Sequence, residues 1–276
     1  MSEQLGGKLN QLSRLVPEGL VVDSGWLSGN GYYNSLRSKY VKSGWLSHLA
    51  HGVYARQRNT LDWVQVVVSL QTILEYPLVV GGRSALELQG FGHYAADLKA
   101  VHLYSQRPPP PWLDDLPLTV KFQVHNGARL FLAPIQRRHE ILNWETVAQE
   151  GALAEPALDS IANLKVGHQP WPVGVSIPER AILEALDELP RNDSFHQLDM
   201  LMEGLTALRP KKLQALLEAC RSIKVKRLFF LLAERHDHAW LARLDRDVIS
   251  LGKGKRSLIP GGKLHPKYQI TIPEDF

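Results

Sequence analysis

Residues 32–55 read YYNSLRSKYVKSGWLSHLAHGVYA. Tyr33, Leu36, Tyr40 and Val41 recur at helical spacing, which places them on one side of a short helix. Asn34, Ser35, Arg37, Ser38, Lys39 and Lys42 fall largely on the other faces. That outer set offers hydrogen-bonding and cationic groups and no carboxylate. Gly44 can adopt the positive φ that ends a helix. Two β-prone runs follow, 45–49 and 53–55, with His51-Gly52 as the tight turn between them. A helix followed by such a hairpin is the second half of a winged helix-turn-helix.

The first half lies just upstream. Leu5, Leu9, Leu12 and Leu15 form one apolar helix face. Pro17-Glu18-Gly19 breaks that helix, and Leu20-Val21-Val22 is a short extended run. Asp23 or Ser24 can cap a helix through Trp26 and Leu27, and Asn30-Gly31 turns the chain into the next one. A DNA-reading helix must be poor in carboxylates, because its polar face meets phosphates and base edges. Asn34, Ser35, Arg37, Ser38, Lys39 and Lys42 are therefore the candidate DNA contacts on the helix. His51 and Arg56 are the candidates near the wing.

The distribution of charge agrees. The 276 residues carry a formal net charge of +4. Lys8, Arg14, Arg37, Lys39, Lys42, Arg56 and Arg58 stand against Glu3, Glu18 and Asp23 in residues 1–60, so the whole excess falls there and the remainder is neutral. Phosphate contacts dominate nucleic-acid affinity, so an excess on this module is what a DNA-binding unit requires. Modules of this shape also serve as protein–protein adaptors, and the location of the charge favours DNA over that use.

A hydrophobic content of 44% with 22% charged residues describes a globular chain. A single cysteine, Cys220, excludes an internal disulfide framework and a cysteine-based zinc site. The opening residues lack the apolar core of a signal peptide, and no run of about 18 apolar residues suggests a membrane span. The expected location is the cytoplasm, without membrane association.

The expected fold class is α+β, with a winged helix at 1–58 and a larger mixed domain at 59–276. In the second part Thr60 is placed to cap an apolar helix running to about Tyr76. Gly81-Gly82-Arg83-Ser84 reads as a plain turn, since no Lys-Ser/Thr follows as in a phosphate-binding loop. Val120, Phe122 and Val124 alternate with Lys121 and Gln123, the pattern of a half-exposed antiparallel strand, and Asn126-Gly127 predicts a hairpin. Pro108 to Pro111 form a stiff connector. Ser176-Ile177-Pro178-Glu179 has the spacing of a capping box. Further helices follow through Leu186, from Phe195, from Pro210 and around Leu228. Arg209, Lys211, Lys212, Arg221, Lys224, Lys226 and Arg227 crowd together against Glu218. That cluster is either a solvated face or a docking surface for an acidic partner.

No catalytic constellation is complete, so an enzyme is not expected. Asp245-Arg246-Asp247 has the carboxylate spacing of a metal-dependent nucleotidyltransferase but lacks the upstream Gly-Ser loop. His236, Asp237 and His238 sit at a helix end, where histidine complements the dipole, and no third ligand has suitable spacing. Neither a metal site nor a cofactor is expected. Cys220 reads as core.

The chain resembles the AbiEi family, the antitoxins of type IV toxin–antitoxin systems that are also transcriptional regulators. The resemblance runs along nearly the whole sequence. It is carried by LVVDSGWL (20–27), the winged-helix stretch 32–56, VVGGRSALELQGFGHY (79–94), SIPERAILEALDELP (176–190), the segment 199–230 and GGKLHPKYQITIPEDF (261–276). The resemblance implies a promoter-binding first domain that represses its own operon, on double-stranded DNA with inverted repeats. It implies a second domain required for antitoxicity and a cognate nucleotidyltransferase toxin, with direct toxin binding left open. A monomer in solution that binds DNA cooperatively is compatible with it. The expected antitoxicity surface is Lys211, Lys212, Lys224, Lys226 and Arg227. The competing reading is a winged-helix transcription factor whose second domain senses a small molecule.

Overall fold

The computed structural model describes residues 2–56, 60–92, 99–132, 160–167 and 171–276. The fold is α+β, and its N-terminal part is a winged helix-turn-helix. Helix α1 (Ser2–Leu15) leads through Gly19, at φ 92°, into β1 (Val21–Asp23). Of the two candidate caps, Asp23 acts: its carboxylate accepts from the Trp26 amide at 2.8 Å and starts α2 (Ser24–Gly29). Gly31, at φ 82°, makes the turn into α3 (Asn34–Lys42). The wing is β2 (Ser47–Ala50) and β3 (Val53–Ala55), and β1 joins it in a three-stranded sheet of order β1-β3-β2. Leu12, Leu27, Tyr40, Leu46 and Val53 form the core beneath.

Helix α4 (Trp63–Thr72) joins the two parts. Its cap is Asp62 rather than Thr60: Asp62 and Gln65 form a reciprocal capping box. Asp62 has a carboxylate at the right position and Gln65 the amide that answers it, so the better acceptor sets the start. α4 packs on β1 at one end of its contacts and on β8 (Val173–Ser176) of the second sheet at the other. The Val21 amide donates to Ser69 Oγ at 2.7 Å. The buried Gln71 donates to the carbonyls of Leu78 and Gly174 and accepts from the Gly174 amide.

The second sheet has five strands in the order β6-β5-β4-β8-β7, built from β4 (Leu78–Val80), β5 (Ala100–Ser105), β6 (Lys121–Asn126), β7 (Ile161–Leu164) and β8. The alternation along β6 is real, with Lys121 and Gln123 exposed and Phe122 and Val124 half-buried. Its pairing differs from the expectation. β6 runs parallel to β5, so the half-exposed pattern came from its edge position and not from an antiparallel hairpin. Asn126-Gly127 makes no hairpin: Asn126 accepts from the Ala128 amide and caps a 3-10 helix, Gly127–Arg129. An Asx cap and a hairpin turn draw on the same side chain, and here the cap wins.

Helix α5 (Gly82–Leu88) and the helices α6 (Pro178–Glu188), α7 (Phe195–Gly204), α8 (Pro210–Ala219) and α9 (Ile223–His236) complete the second part, with α6 packed against α5, α7, α8 and α9. The capping box expected at Ser176–Glu179 is not formed. Ile177 is the N-cap without a side-chain bond, and the buried Ser176 hydroxyl has no partner among the described residues. Glu179 is drawn instead to Arg209, which grips it through Nε and Nη2 at 2.8 Å each. A bidentate guanidinium outcompetes a single backbone amide for a carboxylate. β9 (Lys263–Leu264) and β10 (Thr271–Ile272) close the chain in a two-stranded sheet.

The chain end is held by one buried side chain. Arg227 on α9 donates to the carbonyls of Leu251, Gly252, Gly254 and Gln269 at 2.7 to 3.1 Å. Arg227→Ala should lower the unfolding free energy by about 2 kcal/mol, since it removes several charge-assisted bonds to part-buried carbonyls at once. Urea denaturation measures this directly. A loss under about 0.5 kcal/mol, the size of a surface change, would show that these bonds do not organise the C-terminal segment.

Candidate functional site

The outer side of α3 and the wing turn carry the expected polar set in accessible form. Asn34, Ser35, Ser38, Lys39 and Lys42 are exposed, as is His51 at the wing tip, where Gly52 takes φ 70°. No carboxylate lies on α3. The helix thus offers amide, hydroxyl and ammonium groups to one side, while Tyr40 anchors the other in the core.

Two expected DNA contacts are engaged within the protein. Arg37 Nη1 donates to the Ser24 carbonyl at 2.9 Å and to Ser28 Oγ at 2.8 Å, tying α3 to α2. Its guanidinium also lies 5.9 Å from the Tyr54 ring centroid. Arg56 Nη1 donates to the carbonyls of Ser13 and Val16, the open end of α1, where a cation is favoured by the dipole. Both side chains pair because unsatisfied carbonyls and hydroxyls lie within reach, and helical spacing does not reveal such partners.

Two aromatic residues face outward beside the same surface. Tyr33 was expected on the buried side of α3, but it is the helix N-cap and 67% exposed. At that position the backbone is not yet helical, so helical spacing does not govern where the ring goes. Trp45, between α3 and the wing, is 46% exposed. Large exposed aromatic rings flanking a cationic helix mark a contact surface that charge and polarity alone do not reveal.

The basic cluster of the second part does not form the continuous face that was expected. Lys211 is exposed and Lys212 half-buried on α8. Lys224 pairs with Asp187 Oδ1 at 3.3 Å and donates to the carbonyls of Asp187 and Leu189. Lys226 and Arg227 are buried, at 6% and 3% exposure. α9 is buried over most of its circumference, so even its cationic positions turn into the fold. Cys220 is core, as read, and burial raises its thiol pKa. Among the described residues no group of histidine, cysteine and carboxylates is arranged to hold a metal, and no helix is long and apolar enough to cross a membrane.

A buried polar centre that sequence reading missed lies under the sheet. His102 Nδ1 and His125 Nε2 are 3.0 Å apart, and His125 Nδ1 lies 2.9 Å from Glu188 Oε1. Burial alone would raise the Glu188 pKa, but the bonds from His125 and Asn192 hold it below the ordinary range. Burial, with help from His125 and Arg83, lowers His102 to about 4. Nearby, Arg83 donates to Asp193 Oδ1 at 2.8 Å. Burial pushes Asp193 up to about 6 against the pull of Arg83, and its Oδ2 has no partner among the described residues. The residues of this centre come from distant parts of the chain, so no local spacing announces them.

Comparison with known proteins gives a consistent result. Residues 98–273 match a family described as transcriptional regulator, AbiEi antitoxin, type IV TA system. Residues 6–96 match its N-terminal domain, described as transcriptional regulator, AbiEi antitoxin N-terminal domain. No curated protein matches the sequence. Among solved structures, the RV2827C protein from Mycobacterium tuberculosis is similar in fold. It has a TM-score of 0.52 and 16% identity, over 95% of this chain and 88% of that one.

The polar centre makes stability depend on pH in a specific way. His102 has a lowered folded pKa, so its contribution is present above pH 6.5 and is lost as pH falls towards about 4. Asp193 has a raised folded pKa, so its contribution is present below pH 3.8 and is lost as pH rises through about 6. The two oppose each other between these limits. Asp193→Asn removes the second, so stability should rise more steeply with pH from about 4 to 6.5 than in the parent. The difference should be on the order of 3 kcal/mol across the window. Urea unfolding of both proteins at several pH values tests this, and equal slopes would show that Asp193 does not titrate there.

Proposed function

Because the chain belongs to the AbiEi family of transcriptional regulators, the antitoxins of type IV toxin–antitoxin systems, we propose that it represses its own operon and counteracts a nucleotidyltransferase toxin encoded beside it. The winged helix binds promoter DNA at inverted repeats, and the second part carries antitoxicity without catalysis. The observation that supports operator binding best is the carboxylate-free exposed side of α3 next to the wing. Asn34, Ser35, Ser38, Lys39, Lys42 and His51 meet the duplex directly. Arg37 and Arg56 act through the fold, by locking α2 to α3 and by closing α1.

The functional division is placed at 58/59, in the segment 57–59 that lies outside the described residues. α4 contacts β1 as well as the second sheet, so cutting there uncovers the Ser69 side of α4. Point substitutions therefore separate the two activities more cleanly than truncation.

For DNA, Lys39→Ala with Lys42→Ala should weaken binding to the protein's own promoter fragment. It should also reduce the slope of log affinity against log salt by about two units, one per lost phosphate contact. Fluorescence anisotropy over a range of KCl concentrations measures both. An unchanged slope and affinity would remove α3 from the interface.

For antitoxicity, the members of the expected surface that lie outside α9 are Lys211, exposed, and Lys212, half-buried, both on α8. Lys211→Glu with Lys212→Glu should abolish growth rescue on co-expression with the adjacent toxin gene, while promoter binding stays at the parental level and the far-ultraviolet spectrum shows a folded protein. Full rescue by the folded double variant would move the antitoxic surface away from α8.

A further inference from the structure

A cavity of about 480 Å³ opens at the edge of the five-stranded sheet, between the end of β6, the turn after α6 and the start of α9. Its volume lies within the range of small-ligand sites. Four of its ionisable side chains are already paired. Lys224 holds Asp187, and His125 holds Glu188. Two further cations line it, Arg129 and Arg191. Both are exposed, and among the described residues neither side chain has a hydrogen-bond or ion-pair partner. The Lys224–Asp187 pair cancels, and the two guanidinium groups of Arg129 and Arg191 outnumber the one remaining carboxylate, Glu188.

From this arrangement we infer that the cavity binds a phosphorylated small molecule, with the phosphoryl group held by Arg129 and Arg191. A guanidinium presents its donors as a planar fork that matches two oxygens of a phosphate, and two forks can take up a dianion that one cannot neutralise. The cavity's interior gives the site a fixed back wall. The His125 ring stacks on Tyr104 with centroids 4.8 Å apart, and Tyr104 donates its hydroxyl to the Glu184 carbonyl at 3.0 Å. Both nitrogens of His125 face partners, His102 on one side and Glu188 on the other. These two contacts fix the His125 ring in place as part of that wall. The inference does not rest on the antitoxin reading, since a pocket of this chemistry would serve any regulator that answers to a phosphorylated metabolite.

Isothermal titration of the full chain at constant chloride tests it with three probes: inorganic phosphate, adenosine monophosphate and adenosine. Phosphate and the monophosphate should bind saturably at one site, and adenosine should give no saturable heat. Arg129→Ala with Arg191→Ala should weaken both phosphorylated probes by at least roughly tenfold, the loss expected for one charge-assisted hydrogen bond. Both residues are exposed and have no partner among the described residues, so the double variant should keep the parental far-ultraviolet spectrum and melting temperature. Absence of saturable binding by the parent overturns the assignment. So does adenosine binding as tightly as its monophosphate, or phosphate affinity that is unchanged in the folded double variant.

Discussion

The second half of the molecule is assembled around one buried carboxylate. Glu184 on α6 accepts from the Gly82 amide at 3.0 Å through Oε2 and from Arg180 Nε at 2.6 Å through Oε1. Arg180 in turn reaches Ser160 Oγ at 3.1 Å, beside the entry to β7. The Glu184 carbonyl takes the Tyr104 hydroxyl from β5. One residue thus connects the start of α5, the middle of the sheet, and α6. Burying a carboxylate costs several kcal/mol, and only a close cation with further donors offsets this. Removing either member of the Glu184–Arg180 pair would leave the other charge buried and alone, so the arrangement is held as a unit. It also dictates the glycines: a Cβ on Gly81 would overlap the Glu184 carboxylate and the Tyr104 ring. The Gly-Gly turn is therefore no phosphate cradle, because an internal carboxylate already occupies the amide at the head of α5.

The winged helix is not a loose appendage to this framework. Buried side chains from Leu12 to Ile272 form one contiguous cluster, and α4 lies at the junction. Ser69 shows how the junction is made. Its hydroxyl donates to the Gln65 carbonyl within α4 and accepts the Val21 amide from β1. Two residues further on, Gln71 performs the equivalent service for β4 and β8. A single helix thus satisfies backbone groups of two different sheets with polar side chains from its buried surface. This explains why α4 is apolar on more than one face, and it fixes the orientation in which the second half presents α3.

Most of the winged helix was legible in the sequence because its signals are local. Asp23 caps, Gly31 and Gly44 take positive φ, and the polar residues of 34–42 stand where helical spacing puts them. The order of helices in the second half was legible for the same reason, through Pro178, Pro210 and the leucine spacing. Pairing between distant strands was not. β6 could be seen as half-exposed, but nothing in 119–132 says that its partner is β5, or that the two run parallel. The site was legible only where it is made of exposed residues on one element. The His102–His125–Glu188 chain joins three segments, and each histidine taken alone is unremarkable in the sequence.

The basic cluster shows why a charge run is a poor guide to a surface. Arg56 and Arg227 are drawn into the protein for a chemical reason. The guanidinium is weakly hydrated and has five donors, so it can leave water if enough carbonyls surround it. Arg56 found two at the end of α1, and Arg227 found four in the C-terminal segment. The ammonium is strongly hydrated and gains less from such sites. Lys39, Lys42 and Lys211 accordingly remain in solvent. Lys224 and Lys226 depart from this because α9 is surrounded by packed elements and leaves its early positions little solvent to reach. Which cations a partner can meet is therefore decided by the supply of unsatisfied carbonyls nearby, a property of the tertiary fold. The residues with the largest intrinsic affinity for phosphate are also the ones the fold most readily consumes. Arg129 and Arg191 escape because they border a cavity whose other ionisable side chains have already paired with one another.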